Sequence, residues 1–385
     1  MASALSIAIG QSLVFAILAP LGREVALNEL QITSIIAVSA LVFGVISPRW
    51  GRYSDRAGRK PVILIGLLGY SVGTVVFASV FQAGLMGLVS GTALYLLAMV
   101  FRCAQSSIMS ATGPAATAYA ADLTTPDQRI GAMAQMGAAH SMGTILGPAV
   151  SGALATFGLL APLYFAGLLT AAAGIVTAFK LPKIPAAALT QRTRPRRLRY
   201  TDPRVVRYLV AAIGLFTGFS GIQQTLGFSI QDKMALTGIE TAQMTGAALM
   251  ISAIFAFLAQ LLLVQRLKLK PDQFVYFGIV SLFIATLFIA SFEQFWILGV
   301  GMAFMGTGLG VTMPSISAAA SLAVTPEEQG AVAGLVASCP AMGFVVGPVI
   351  AGFLYQLNAS YAGMFSATVF ALLLAIMIIS RERHD

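Results

Sequence analysis

Charged side chains make up only 10% of this sequence against 58% hydrophobic ones, and its mean hydropathy is +0.87. So few polar groups cannot coat a water-soluble globule of 385 residues, which leaves an integral membrane protein. Acids are scarcer than bases, 14 against 23. In a soluble protein such an excess would suggest nucleic acid as a partner, but here the bases fall in short gaps between apolar runs, so nucleic acid is not expected. Cysteine is almost absent: Cys103 and Cys339 lie inside apolar segments, which argues against a disulfide framework or a zinc site and reads them as packing residues. The spans hold neither an acidic metal cluster nor a nucleophile–base pair, so no enzyme, cofactor or metal is expected. The first apolar stretch lacks a basic leader region and a cleavage site, and is read as a retained helix.

What is present is a series of apolar runs. Taking ~20 residues as one membrane crossing, there are twelve, at 4–22, 31–50, 61–83, 89–120, 130–156, 161–181, 205–231, 241–265, 272–291, 294–322, 329–356 and 360–380. Between alternate spans one face collects 20 Lys and Arg and the other has only Arg23 and Lys233; Arg102 lies inside a span. The basic face is expected in the cytoplasm, together with both termini. The densest basic stretch is Gly51–Pro61, which reads as a loop carrying Arg52, Asp55, Arg56, Arg59 and Lys60, with Gly51 and Gly58 allowing a tight turn.

The longest polar interval holds Pro182, Pro185, Pro195 and the run Arg194 to Arg199, and divides the chain into residues 1–181, a basic linker at 182–203, and residues 204–385. The linker reads either as a solvated topological anchor or as a segment lying on anionic lipid. An internal repeat supports the division. Pro114 matches Pro314, Thr125-Pro126 matches Thr325-Pro326, and Gly143, Gly147, Pro148 and Gly152 match Gly343, Gly347, Pro348 and Gly352, all at an offset of 200. A constant offset across a helix end, a loop and the next helix implies two six-helix bundles built as parallel repeats.

Several residues carry more than topology. The bases of the Gly51–Pro61 loop are explained by topogenesis, but Asp55 among them is expected to be paired. Arg102 sits about eighteen residues, ~27 Å, from the far end of its helix; it is either an interior cation or a side chain snorkelling at the outer interface. Its repeat partner is Met302, so the halves differ there. The glycines of Gly143–Gly152 share a helix face and let a neighbour approach, while Pro148 bends the helix. His140, the one histidine in a span, is a candidate proton carrier or a packing residue. Asp232 and Glu293 read as solvated acids at outer helix ends. Amides beside aromatics, Gln11 with Phe15 in the first span and Gln223-Gln224 after Phe216 and Phe219 in the seventh, suit a cavity for an amphipathic organic molecule.

The pattern Gly51-x3-Asp55-Arg56-x-Gly58-Arg59-Lys60 resembles the signature loop of the major facilitator superfamily. Arg102-x2-Gln105 is similar to that superfamily's second motif, with Ser106 where Gly is usual. Gly143-x3-Gly147-Pro148-x2-Ser151-Gly152 resembles the motif of its drug:proton antiporter branch, with Ser151 replacing a glycine. The resemblance implies an all-α fold of twelve transmembrane helices in two pseudo-symmetric six-helix bundles. It implies that Asp55, Arg59 and Asp122 form a charge cluster latching the halves in an outward-facing state, and that the protein exports a small molecule against a proton gradient. The expected mechanism rocks 1–181 against 204–385 around a cavity containing Arg102, Gln105, His140 and Gln223, in a monomer surrounded by lipid in a bacterial cytoplasmic (inner) membrane. The acidic residue that many such antiporters keep in the first span is absent before Glu24. A fixed Arg102 makes export of an anionic metabolite or siderophore-like acid the alternative. A receptor on the same fold would be expected to carry a cytoplasmic output domain, for which Ser380 to Asp385 leaves no room.

Overall fold

A computed structural model of the chain describes residues 2–124, 126–182, 198–264, 266–267, 269–325 and 328–382. Most of the linker, and parts of the Thr125 and Thr325–Glu328 repeat and of the 265–271 gap, lie outside the described residues. The helices are α1 (Ala2–Glu24), α2 (Glu29–Ala57), α3 (Arg59–Leu85), α4 (Gly91–Met109), α5 (Thr112–Asp122), α6 (Pro126–Leu154), α7 (Ala161–Lys180), α8 (Val206–Met234), α9 (Gly238–Ala259), α10 (Pro271–Ser291), α11 (Phe295–Leu322), α12 (Gln329–Leu357) and α13 (Ala359–Glu382). Among the described residues eleven spans are long and apolar enough to cross a membrane, with α4 and α5 together forming one. The 29-residue α6 has the length for the remaining crossing.

Two expected elements are corrected. Gly51–Pro61 is not a loop: α2 continues to Ala57 and α3 begins at Arg59, leaving Gly58 alone between them. Its φ of 92° is a conformation that side chains resist, so one glycine makes the whole turn. Gly51 lies within α2, where an added Cβ would stand 3.5 Å from Pro114 of α5, an ordinary van der Waals contact, and it takes no part in the turn. The fourth span is broken after Met109, because Pro114 supplies no N–H and its ring crowds the carbonyl of Ser110. Ser110 Oγ bonds the carbonyl of Ser107 at 2.7 Å, offering the chain a local alternative to the helix ladder. At the repeat position Pro314, where the residue four earlier is Gly310, α11 runs unbroken. The eighth span ends in a π-helical turn, Gln260–Val264.

The contacts form two units, Met1–Arg192 with Ala235–Ala247, and Thr193–Met234 with Ala248–Asp385. The start of α9 therefore clusters with the first unit, although the sequence division puts it in the second half. Its Gly246 packs on α6 so closely that a Cβ would stand 2.5 Å from the Pro148 carbonyl.

Each unit is held by the same contact. In the first, Ser12 Oγ donates to the Gly143 carbonyl at 3.2 Å and Ser151 Oγ to that of Leu13 at 3.0 Å, joining α1 to α6. In the second, Ser220 Oγ donates to the Gly343 carbonyl at 3.1 Å, joining α8 to α12. A Cβ on Gly147 would fall 1.7 Å from Ser12 Oγ, and one on Gly347 2.3 Å from the Thr217 carbonyl. Lipid gives helices no hydrophobic reason to associate, so close backbone approach and interhelical hydrogen bonds must supply the attraction.

Gly147→Leu is expected to destabilise the protein by about 1–3 kcal/mol, the usual cost of overpacking. Thermal unfolding in detergent should show a lower midpoint than wild type, and an unchanged midpoint would show that α1 and α6 do not depend on this approach.

Candidate functional site

An ionic site surrounds Gly58. Arg59 is the first residue of α3 and only 5% exposed. Its Nη1 lies 2.5 Å from Asp55 Oδ1 and donates to Ser54 Oγ at 2.7 Å, while Nε donates to Asp122 Oδ2 at 3.0 Å. Asp55, Arg59 and Asp122 are thus brought together, all within the first unit. The arrangement has an electrostatic logic. A cation at a helix N-terminus and an acid at a helix C-terminus each oppose their own helix dipole, and pairing Arg59 with Asp122 offsets both costs. The two acids differ in setting: Asp122 is 17% exposed at the side chain and Asp55 60%.

Lys60 takes no part in this cluster. Its Nζ donates to the carbonyls of Ala178 at 2.7 Å and Leu181 at 2.5 Å, capping the C-terminus of α7. Tyr119 of α5 holds the next residue through the Pro182 carbonyl at 3.1 Å. The signature stretch therefore also fastens the chain where it enters the linker.

A second ionic cluster was not foreseen. Arg204 donates through Nη2 and Nε to Asp202 at 2.8 and 3.1 Å and through Nη1 to Glu328 Oε2 at 2.8 Å. These hydrogen bonds hold the Asp202 carboxyl below the usual carboxylate range and raise the Arg204 guanidinium above its ordinary value. The ionised pair therefore persists at neutral pH and is lost only as pH falls through the depressed Asp202 value. The sequence signal was Glu328 in the repeated Thr-Pro segment, but nothing local linked it to Arg204, 124 residues away.

Arg102 is interior, which excludes the snorkelling alternative. It is 6% exposed, its Nη1 donates to Gln105 Oε1 at 2.6 Å, and its guanidinium lies 5.6 Å from the centroid of Phe77. Gln105 in turn donates to Thr74 Oγ1 at 2.5 Å. No carboxylate among the described residues pairs with Arg102, so cation–π attraction and an amide carry its stabilisation. Gly73 makes room for Gln105, and Gly10 of α1 for Tyr70.

The other expected residues are dispersed. Gln11 donates to Met109 Sδ at 3.6 Å, and Phe15 is half-buried beside it on α1. His140 is exposed, and its ring has no hydrogen-bond partner among the described residues; only its carbonyl is used, by Thr144. Gly143, Gly147, Pro148 and Gly152 form the α6 face against α1 and the start of α9. Phe219, Gln223 and Gln224 belong to α8 of the second unit. Asp232 is not simply solvated: Tyr355 Oη donates to its Oδ2 at 2.7 Å.

A helical membrane protein with a charge cluster around a buried Arg59 at a one-residue turn between two spans, and with the same Ser–Gly contact repeated in two units, has the form of a secondary transporter. The chain belongs to the Major Facilitator Superfamily, whose family model matches residues 1–292 and 271–385. It is 26% identical to multidrug resistance protein 2 of Bacillus subtilis over 91% of this chain and 86% of that one. It is also 26% identical to the class C tetracycline resistance protein of Escherichia coli, over 92% and 88%. Among solved structures, the nucleoside transporter NupG superposes with a TM-score of 0.76 over 98% of this chain and 97% of that one, at 15% identity, a likeness of fold.

Loss of Asp122 should cost more stability than loss of Asp55, because its contact with Arg59 is the less solvated. Asp122→Asn is expected to lower stability by about 1–2 kcal/mol and Asp55→Asn by under about 0.5 kcal/mol. Unfolding of the two variants in detergent checks the order, and the reverse order would contradict it.

Proposed function

We propose that this protein exports an amphipathic, drug-like small molecule from the cytoplasm by alternating access, in exchange for protons. The observation that carries the reading is end-to-end similarity to multidrug and tetracycline resistance proteins, combined with the charge cluster at Gly58. The basic ends of the spans and both termini face the cytoplasm. Residues 1–181 and 204–385 rock as two bundles joined by the linker. Asp55, Arg59 and Asp122 act as the latch of one state. Ionic contacts near a membrane surface contribute on the order of 1–3 kcal/mol, enough to bias a two-state equilibrium and weak enough to release. Gln11, Phe15, Phe219, Gln223 and Gln224 contribute to the cavity.

Export of an anionic metabolite would need Arg102 to meet substrate. Its enclosure between α3 and α4, with Gln105 and Phe77 as partners, instead supports a structural cation. The exposure of His140, whose ring has no hydrogen-bond partner among the described residues, supports its reading as the proton carrier.

Flux of ethidium and tetracycline in proteoliposomes, with and without an imposed pH gradient, tests the reading. Transport is expected to accelerate with a proton gradient directed against it, and equal rates would remove proton exchange. Asp55→Asn should reduce flux at least about tenfold while retaining insertion, and flux at the wild-type rate would remove the latch. His140→Gln should flatten the pH dependence of exchange, and an unaltered profile would exclude it as the carrier.

A further inference from the structure

The second unit contains an arrangement of rings that the expected cavity residues only partly include. Phe216 and Phe219 of α8 and Phe344 of α12 form a triangle, with centroid separations of 6.5 Å (Phe216–Phe219), 6.3 Å (Phe216–Phe344) and 6.3 Å (Phe219–Phe344). All three are half-buried. Two pairs meet nearly edge to face, at 83° and 79°, while Phe216 and Phe344 are tilted at 39°. Phe344 is brought there by its neighbour Gly343, against which the backbone of Phe216 packs: a Cβ on Gly343 would stand 2.6 Å from the Phe216 carbonyl carbon. The small residue that joins the helices also sets the third ring.

Gln223 lies four residues after Phe219 and seven after Phe216, on the same stripe of α8. It is half-buried, yet its Oε1 is removed from solvent and has no hydrogen-bond partner among the described residues. An unsatisfied amide acceptor in mid-span is costly against lipid, and the cost falls when a donor arrives. No charged residue stands between Tyr208 and Gln231 on α8, or anywhere on α12. The recognition chemistry here is therefore an aromatic face or edge plus one hydrogen bond, without an ionic contribution.

We infer that Phe216, Phe219, Phe344 and Gln223 form a subsite for a planar aromatic ligand bearing an N–H or O–H at its edge, whatever its net charge. The rings hold the aromatic body and Gln223 accepts from its donor. The inference deepens the exporter reading and rests on it, since it assigns part of the substrate's chemistry.

The experiment is equilibrium binding to the purified protein in nanodiscs, read by fluorescence polarisation of neutral aminomethylcoumarin and of its dimethylamino analogue, which lacks the donor. Wild type should bind the primary amine about tenfold tighter than the analogue. Gln223→Leu should weaken the primary amine about tenfold and abolish the discrimination. Phe344→Ala should weaken both dyes about tenfold, and Phe344→Tyr, which keeps the ring, should restore them. No binding to wild type, discrimination that survives in Gln223→Leu, or full affinity in Phe344→Ala each overturns the inference. Efflux of non-planar tetraphenylphosphonium by the same variants in proteoliposomes keeps the two readings apart: dye binding lost with efflux intact defeats the subsite alone.

Discussion

Arg59 is a guanidinium buried where two helices meet end to end, and much of the first unit can be read as a response to that fact. Burying a cation is tolerable only if its donors are matched, and here Ser54, Asp55 and Asp122 match them from three directions. Asp122 reaches Arg59 from the end of α5, a short helix set off from α4 by the break after Met109. The acid that satisfies Arg59 is thus carried on the eleven-residue α5, a segment distinct from the α4 that holds Arg102. The adjacent Lys60 secures the end of α7, so consecutive residues tie α3 to three other elements.

Beneath this ionic end, the units depend on glycine. The Ser12–Gly143 and Ser220–Gly343 contacts are one solution used twice, a hydroxyl reaching a carbonyl exposed by the absence of a side chain. In the second unit that solution also positions Phe344 beside Phe216, so a packing device becomes part of a surface with recognition chemistry. The halves differ in their polar content: Arg102, Gln105 and Thr74 fill the interior between α3 and α4, whereas Met302 occupies the repeat position in α11.

The spans and the repeat were legible because hydropathy and offset are local or periodic signals, whereas the grouping of Asp55 with Arg59 rested on the resemblance of the Gly51–Lys60 motif. Arg102 was legible as interior because the apolar run before it made exposure costly. The continuation of α2 through Arg52–Ala57 was not, since a basic stretch bounded by two glycines also fits a loop, and only the positive φ at Gly58 shows that one residue suffices. The break at Ser110 required weighing Pro114 against a long apolar run, while the same proline in α11 is absorbed. The Arg204–Glu328 pair joins residues with no spacing relation, and the approach of Phe344 to α8 depends on a helix crossing that spacing does not encode.

The central claim is that the Arg59 cluster biases a two-state equilibrium between bundles. Electron–electron double resonance between spin labels at Arg52→Cys and Arg266→Cys, in a background with Cys103→Ala and Cys339→Ala, measures that equilibrium in the absence of transport. The account predicts that adding Asp55→Asn shifts the distance distribution toward longer separations. An identical distribution with and without the substitution would contradict it.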